Sequence, residues 1–326
     1  MSPIASRPSL RRQGLGTNCP DAVEQDSHLR RRLIFLHQQL AKYRPDELHP
    51  SPEINALFSE LVGLCIQPHP AALTNELLES PELRDVLQAL RKIASNGEFC
   101  MEQYWTARLT RPSEPTSEPS EPTSEAVRAF PYYQNYVDLT RMELHAVAAC
   151  AASECEPISR IAFLGSGPLP LSAIVLAGMA GRFPFLFSPG LVVDCVDISP
   201  EATELASRII DQTCPCSDDG SADSPLVQAV NACATKVPLD GYDLIHVAAL
   251  VGDNRKAKVQ VLNRIAVDAG PDTIVVIRSA DGLRRILYPT VDADMVREAG
   301  LVLLGTFIPH GDVVNSVIVA KRPGLA

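Results

Sequence analysis

Two acidic side chains and the chain's single tryptophan share one face of a predicted helix. Glu98, Glu102 and Trp105 follow one another at spacings of four and three residues, which stacks them along one side of an α-helix. Paired carboxylates are candidates for general acid–base chemistry. The alternative is a solvated acidic face with Trp105 packed at its edge.

A tyrosine cluster follows in the segment FPYYQNY, residues 130–136. Tyr132, Tyr133 and Tyr136 combine large rings with hydroxyl groups that donate and accept hydrogen bonds. Such a cluster beside Gln134 and Asn135 is suited to the wall of a ligand pocket. The alternative is that the rings are part of a hydrophobic core.

The stretch RIAFLGSGPLPLSAIVLA, residues 160–177, predicts a strand, a glycine turn and a helix. The turn runs through Gly165, Ser166, Gly167, Pro168 and Leu169. Glycines allow the backbone to approach a ligand closely, and a helix start offers unpaired N–H groups. A nucleotide site is therefore predicted here, although Pro170 replaces the third glycine of the usual pattern and an ordinary strand–helix turn is the alternative.

Polar residues also stand where later strands end. The predicted strand Leu191–Val196 runs into Asp197, whose carboxylate is placed to accept hydrogen bonds from ribose hydroxyls. The strand Leu226–Val230 ends near Asn231, whose amide is placed to meet an adenine edge. Adjacent strand-end residues complete the predicted cofactor-binding set: Ile198, Ala232, Ala248 and Ala249.

Strand and helix patterns alternate from Arg160 onward, which favours an α/β sheet. Further strands are predicted at Tyr242–Val247 and Thr273–Arg278, followed by an antiparallel pair, Leu301–Thr306 and Val313–Ala320. Seven strands with an antiparallel final pair indicate a class I S-adenosylmethionine-dependent, Rossmann-like fold more than a dinucleotide-binding one.

The region before the sheet is predicted to be all-helical. Leu29, Leu33, Leu36 and Leu40 share a helix face, and further amphipathic sets follow. We predict a disordered tail at 1–21, a helical domain at 22–152 and a Rossmann-like domain at 153–326. Residues 111–125, a Pro/Ser/Thr/Glu repeat without apolar residues, are predicted to be a disordered insertion within the helical domain.

Composition and net charge indicate which classes of partner the protein binds. The net charge of −10 and pI of about 5.2 disfavour nucleic acid, and no apolar run is long enough to cross a membrane. Nine scattered cysteines, with only a Cys214-x-Cys216 pair, predict no metal site. An odd cysteine count without a secretory leader suits the cytoplasm. We expect a small-molecule substrate, and a homodimer is left open.

Several motifs together resemble nicotianamine synthase, as a fungal-type member of that family. They are FLGSGPLPLSAIVLA, FPYYQNY, AALVG, RSADGLRRILYP and DVVNSVIVAK, and the resemblance runs from about Pro50 to Lys321. The chain departs from the plant pattern at Asn231, where an acidic residue is usual, and at Ser199, where a second Asp is usual. Plant members also lack the insertion at 111–125.

The resemblance implies a reaction that joins three S-adenosylmethionine molecules, used as substrate and without metal, into nicotianamine, a metal chelator. Each step transfers a 3-amino-3-carboxypropyl group and releases methylthioadenosine. Glu102, supported by Glu98 and Tyr133, would accept the proton of the attacking amine. Tyr132 and Tyr136 would contact the substrate.

Arg278 would bind a substrate carboxylate, or alternatively form a structural ion pair. Three other functions stay open at this stage. The same fold and cofactor serve methyltransferases, which release S-adenosylhomocysteine, and related aminocarboxypropyl transferases. A non-catalytic binding protein on the same fold is the third.

Overall fold

The computed structural model describes residues 20–110, 127–151, 156–214 and 224–324. The predicted insertion at 111–125, Cys216 and nearly all of the predicted tail at 1–21 lie outside the described residues. The helical layer at the N-terminus consists of α1 (Pro20–Leu40), α2 (Pro52–Ile66), α3 (Ala71–Glu79) and α4 (Arg84–Leu109).

Leucine side chains form the core of this layer. The four leucines predicted to share a face of α1 are all buried, and they meet Leu61 of α2 and Leu90 of α4 in one cluster. Helix α2 begins where local chemistry predicts a start, since the Ser51 hydroxyl accepts a hydrogen bond from the Ile54 N–H at 3.2 Å and Pro52 follows it.

Helix α4 contains the acidic pair and the tryptophan. Glu98, Glu102 and Trp105 lie in its second half, since the helix begins at Arg84. Gly97 in its middle does not interrupt it. The ring of Phe58 packs so closely against Gly97 that a methyl group there would lie 2.3 Å from the ring, so this glycine permits a close helix–helix approach.

The sheet contains seven strands among the described residues, in the order β3-β2-β1-β4-β5-β7-β6. Strand β7 runs antiparallel to β5 and β6, and the other pairs are parallel. This confirms the predicted fold class. The strands are β1 (Ile158–Leu164), β2 (Phe187–Asp197), β3 (Leu226–Asn231), β4 (Leu244–Val247), β5 (Ile274–Ser279), β6 (Val302–Phe307) and β7 (Ser316–Lys321).

Helices cover both faces of the sheet. They are α5 (Tyr133–Ala151), α6 (Leu171–Met179), α7 (Pro200–Thr213), α8 (Arg255–Asp268) and α9 (Ala293–Glu298). Helix α5 begins at Tyr133, inside the FPYYQNY segment, and its Leu144 and Val147 share a core with strands of the sheet. A helix assigned by sequence to the N-terminal domain thus packs on the sheet instead.

The segment after β5 joins the two parts of the protein. A short 3₁₀ turn at Gly282–Ile286 carries Leu283 and Ile286, followed by Leu287, into the leucine core of the N-terminal layer. The strand order reverses at β1. From β1 the chain builds the sheet outward through β2 and β3 on one side, and then returns to add β4 and β5 on the other side. Ligand sites of open α/β sheets form at such a point, beyond the carboxyl ends of the strands.

Candidate active site

A cavity of about 590 Å³ lies at the carboxyl ends of β1, β2, β4 and β5. The turn after β1 and the residues after β2 and β4 form one side, and α4 lies across it. Thirteen of the residues singled out by sequence line it: Glu98, Glu102, Tyr136, Gly165, Ser166, Gly167, Leu169, Asp197, Ile198, Ala232, Ala248, Ala249 and Arg278.

Glu102 is nearly buried in this cavity, with 8% of its surface exposed. Its Oε1 accepts a hydrogen bond from the Tyr136 hydroxyl at 3.1 Å. Burial and the neighbouring Glu98 raise the pKa of Glu102 well above its usual value, and the Tyr136 hydrogen bond opposes this only in part. A carboxylate with a raised pKa is a stronger base, which suits proton transfer near neutral pH.

Glu98 has a phenol partner of its own. The Tyr288 hydroxyl donates to Glu98 Oε2 at 2.9 Å, and burial raises the Glu98 pKa, against the hydrogen bond from Tyr288 and the charge of Arg278. Sequence reasoning missed Tyr288. It belongs to the RSADGLRRILYP motif, but a single tyrosine after a short turn has no periodicity that would indicate a partner far away in the chain.

The glycine turn is shaped by protein contacts as well as by space for a ligand. Gly165 and Gly167 have φ angles of 79° and 68°, where other residues are strained. A methyl group at Gly165 would lie 2.3 Å from the Val251 side chain, and one at Gly167 would lie 2.5 Å from Glu102 Oε2. The carboxylate of α4 therefore sits directly over the turn.

A second contact ties α4 to the same turn. The buried Thr106 hydroxyl donates to the Pro168 carbonyl at 3.0 Å. Thr106 lies one helical turn beyond Glu102, so the hydrogen bond fixes how α4 lies across the turn. Pro168 is used in this contact and does not itself line the cavity.

Asp197 closes the other side of the turn. Its Oδ2 accepts from the Gly167 N–H and its Oδ1 from the Ser199 N–H, both at 2.9 Å. A carboxylate accepts about four hydrogen bonds, so capacity for ribose hydroxyls remains. Ser199 caps α7 by accepting from the Ala202 N–H at 3.2 Å.

Arg278 forms the structural ion pair that the sequence offered as an alternative, and it also lies in the cavity wall. Its Nε and Nη2 bind the two oxygens of Glu143 at 2.7 and 3.1 Å, Nη2 also donates to Ser172 Oγ at 2.7 Å, and the residue lines the cavity. Burial opposes ionisation of Glu143, but Arg278 and His246 outweigh it and lower its pKa to about 2. The ion pair thus holds a cation in the cavity wall.

His246 completes this buried group. Burial lowers its pKa, against the charge of Glu143, and its Nε2 lies 2.9 Å from Glu143 Oε1. The ring stacks on Phe163 at a centroid distance of 4.0 Å. Neither Glu143 nor His246 was predicted, because each reads as part of an otherwise apolar helix or strand.

Besides Pro168, three predicted residues lie away from the cavity lining. Tyr132 and Tyr133 join the hydrophobic cluster around Phe130, together with Trp105, as the core alternative for the tyrosines expects. The Asn231 amide donates to the Asp197 carbonyl at 3.1 Å and to Thr203 Oγ1 at 3.3 Å. Tyr136 is the member of the cluster that lines the cavity.

No metal centre is evident in this part of the chain. Within the described ranges, no group of three or more His, Cys, Asp or Glu side chains is arranged to hold a metal ion. Cys214 belongs to those ranges, while Cys216 does not. None of the described helices is both long and apolar enough to cross a bilayer.

Known proteins resemble the chain over most of its length. Residues 22–325 match the family model described as nicotianamine synthase protein. Nicotianamine synthase 9 of Hordeum vulgare is 33% identical over 275 residues, which are 84% of this chain and 74% of the relative. Nicotianamine synthase 1 of Arabidopsis thaliana is 29% identical over 300 residues, 92% of this chain and 86% of the relative.

Solved structures agree on the fold. The structure of MtNAS in complex with MTA and tNA superimposes with a TM-score of 0.69 at 21% identity, over 91% of this chain and 97% of that one. A mutant of MtNAS in complex with S-adenosylmethionine gives a TM-score of 0.68 at 20% identity, over 90% and 97%. By the match of its sequence from residue 22 to residue 325, the chain belongs to the nicotianamine synthase family.

Proposed function

We propose that the protein is a nicotianamine synthase, which joins three S-adenosylmethionine molecules into nicotianamine and releases three molecules of methylthioadenosine. The observation that carries the proposal is the joint placement of Glu102, Tyr136, the glycine turn and Asp197 in one cavity. The names of the relatives and the S-adenosylmethionine complex of MtNAS support it.

The cavity is arranged for substitution at carbon. In each transfer the amine lone pair of the acceptor attacks the γ-carbon of the donor, the carbon–sulfur bond breaks, and its electron pair stays on the sulfur of methylthioadenosine. Since the sulfonium already leaves readily, alignment of the two reactants supplies much of the acceleration, up to about 7–11 kcal/mol in favourable cases. The same steps end with closure of the azetidine ring.

Glu102 is the general base of the proposed reaction. Its carboxylate beside the glycine turn accepts the proton that the attacking amine loses, and Tyr136 holds the carboxylate in place. General-base catalysis of this kind contributes about 10²–10⁴-fold. Glu98, held by Tyr288, supports it one helical turn away, and Arg278 offers its charge to a substrate carboxylate.

The test is incubation with S-adenosylmethionine alone, followed by mass spectrometry. Nicotianamine and methylthioadenosine are expected to accumulate in a ratio of one to three. S-adenosylhomocysteine in their place would show a methyltransferase, to which the same sheet order is suited. Methylthioadenosine with a different amino-acid product would show a related aminocarboxypropyl transferase. Absence of every product would refute nicotianamine synthesis and leave a binding protein or a transferase that requires a separate acceptor.

The proposal also covers the cellular location, the partners and the assembly of the enzyme. We place it in the cytoplasm, acting on small molecules and independently of nucleic acids and membranes, in support of transition-metal homeostasis. The net charge of −10 and the unpaired state of the six described cysteines support this placement. Assembly as a homodimer is included, and light scattering on the purified protein checks it.

A further inference from the structure

Lys258 is a buried amine beside the cavity. It lies in the first turns of α8 and is 0% exposed. Its Nζ donates to the carbonyl of Ala248 at 3.3 Å and to that of Ala249 at 2.9 Å. Burial lowers its pKa to about 7, and both its charged and its neutral forms can donate two hydrogen bonds.

Stability alone does not account for this amine. Its acceptors are backbone carbonyls rather than a carboxylate, and a cation near the N-terminal end of a helix is opposed by the helix dipole. Methionine is similar in length and would fill the same space without the cost of removing an amine from water. The role of Lys258 is therefore to be sought in what it holds.

Lys258 holds the loop after β4, residues 248–252, which we call the β4 loop. Ala248 and Ala249 are nearly buried and line the cavity. The Ala248 N–H donates to the Leu164 carbonyl at 3.0 Å, so the β4 loop begins beside the end of β1. One side of the loop is thus part of the cavity wall.

The rest of the β4 loop packs against two neighbouring segments, the glycine turn and the start of α8. Val251 is seated against Gly165, where a methyl group would approach it to 2.3 Å. Gly252 has a φ of 75° and lies so close to the backbone of Lys258 that a methyl group would be 2.7 Å from its nitrogen. The loop is therefore clamped between the glycine turn and the start of α8.

We propose that Lys258 is a positioning residue for S-adenosylmethionine. By fixing the Ala248 and Ala249 carbonyls, it sets the distance between the β4 loop and the glycine turn, and thereby the width of the cavity where the cosubstrate binds. The inference rests on the proposed function, and it assigns Lys258 an effect on binding rather than on the chemical step.

The experiment compares Lys258→Met and Lys258→Gln with the wild type. Methionine removes both hydrogen bonds, and glutamine, about one bond shorter, does not reach both carbonyls. The Kd for S-adenosylmethionine by calorimetry and the KM are expected to rise about tenfold or more, the effect of one or two lost hydrogen bonds. The melting temperature and kcat are expected to change little.

Lys256→Met is the matched control, because Lys256 is exposed two residues earlier on α8 and the same side-chain exchange is made there. It is expected to bind S-adenosylmethionine like the wild type. A folded Lys258 variant with wild-type Kd overturns the inference, as does a failure of both variants to fold, which would show a structural role. A wild-type protein that does not bind S-adenosylmethionine would refute the proposed function instead.

Discussion

Glu98 and Glu102 are the same residue type one helical turn apart, yet their surroundings distinguish them. Glu102 touches the glycine turn and Tyr136, whereas Glu98 is bound by Tyr288 from the segment after β5. Both pKa values are raised, first of all by burial. The proposed division of roles, with Glu102 next to the reacting amine and Glu98 in support, therefore depends on position relative to the turn and not on acidity.

Glu102→Gln should fold, bind S-adenosylmethionine and lose most of its turnover, about 10²–10⁴-fold. Glutamine keeps the shape of the side chain and its contact with Tyr136 but cannot take a proton. Glu98→Gln should cost less. Release of methylthioadenosine and nicotianamine by each variant checks this, and a dead Glu98→Gln beside an active Glu102→Gln would reverse the two roles.

Glu102→Gln should also stabilise the free protein, in a pH-dependent way. Because the folded-state pKa of Glu102 lies above its unfolded value, the carboxyl is tolerated at low pH, where it is protonated in both states, and destabilises as pH rises through the folded pKa. The variant should therefore melt higher than the wild type at pH 8, by about 2–4 °C for each kcal/mol regained.

Thermal unfolding of both proteins at pH 8 and near pH 4.5 tests this. The difference in melting temperature should shrink at the lower pH. An equal difference at both values would mean that the gain comes from packing and not from the charge of Glu102.

At the scale of elements, the site is a junction between α4 and the turn after β1. Two contacts define it: the Glu102 carboxylate over Gly167 and the Thr106 hydroxyl on the Pro168 carbonyl. The close packing of Phe58 on Gly97 sets the same helix from its other side. The position of the base thus depends on helix packing outside the cavity.

Gly167→Ala tests the junction. The added methyl group would lie 2.5 Å from Glu102 Oε2, and alanine at a φ of 68° adds backbone strain of about 1–3 kcal/mol. We expect turnover to fall at least as far as in Glu102→Gln, measured as methylthioadenosine release. A fully active variant would show that the carboxylate can move without loss.

Gly178→Ala is the control for this substitution. Gly178 is exposed on α6, and nothing lies within 4 Å of a methyl group placed there. Alanine should leave activity unchanged and raise stability by up to about 1 kcal/mol, the difference in helix propensity.

Patterns local in sequence were predictable, and pairings across the chain were not. The seven strands, the glycine turn and Asp197 follow from apolar runs and from what ends them. Tyr288 reaches Glu98 across 190 residues, and Glu143 reaches Arg278 across 135. Such pairs form only because of how α4 and α5 are placed on the sheet. A short stretch of sequence carries no information about that placement.

The packing of α5 could not be predicted, for a related reason. Helix α5 is amphipathic like the helices before it, and periodicity does not show which surface an apolar face meets. In the structure it packs against the sheet, as Leu144 and Val147 show. The choice depends on the topology of the sheet and not on α5 itself.

At the scale of the whole molecule, the residues on either side of the segment 111–125 belong to the same hydrophobic cluster. Leu109 ends α4 and Val127 follows the insertion, and both belong to the cluster around Phe130. The ends of the segment are thus anchored on one surface, and a short connection would serve.

Replacing residues 111–125 by about six Gly/Ser residues should leave the melting temperature and turnover near wild type, because loop closure depends weakly on length. A Gly/Ser segment of the original length is the control for composition. If both replacements lose activity, the Pro/Ser/Thr/Glu sequence itself has a role. If the short one alone does, length matters.

The seating of Leu283, Ile286 and Leu287 in the leucine core of the N-terminal layer bears on how substrates enter. Lifting that layer like a lid would expose all three side chains, at about 1.5–3 kcal/mol each, so fewer than about one molecule in a thousand would be open at any time. Substrate and product have a route that needs no such opening, at the exposed edge of the cavity. Phe99 and Ile198, both lining the cavity and 37% and 70% exposed, mark its rim.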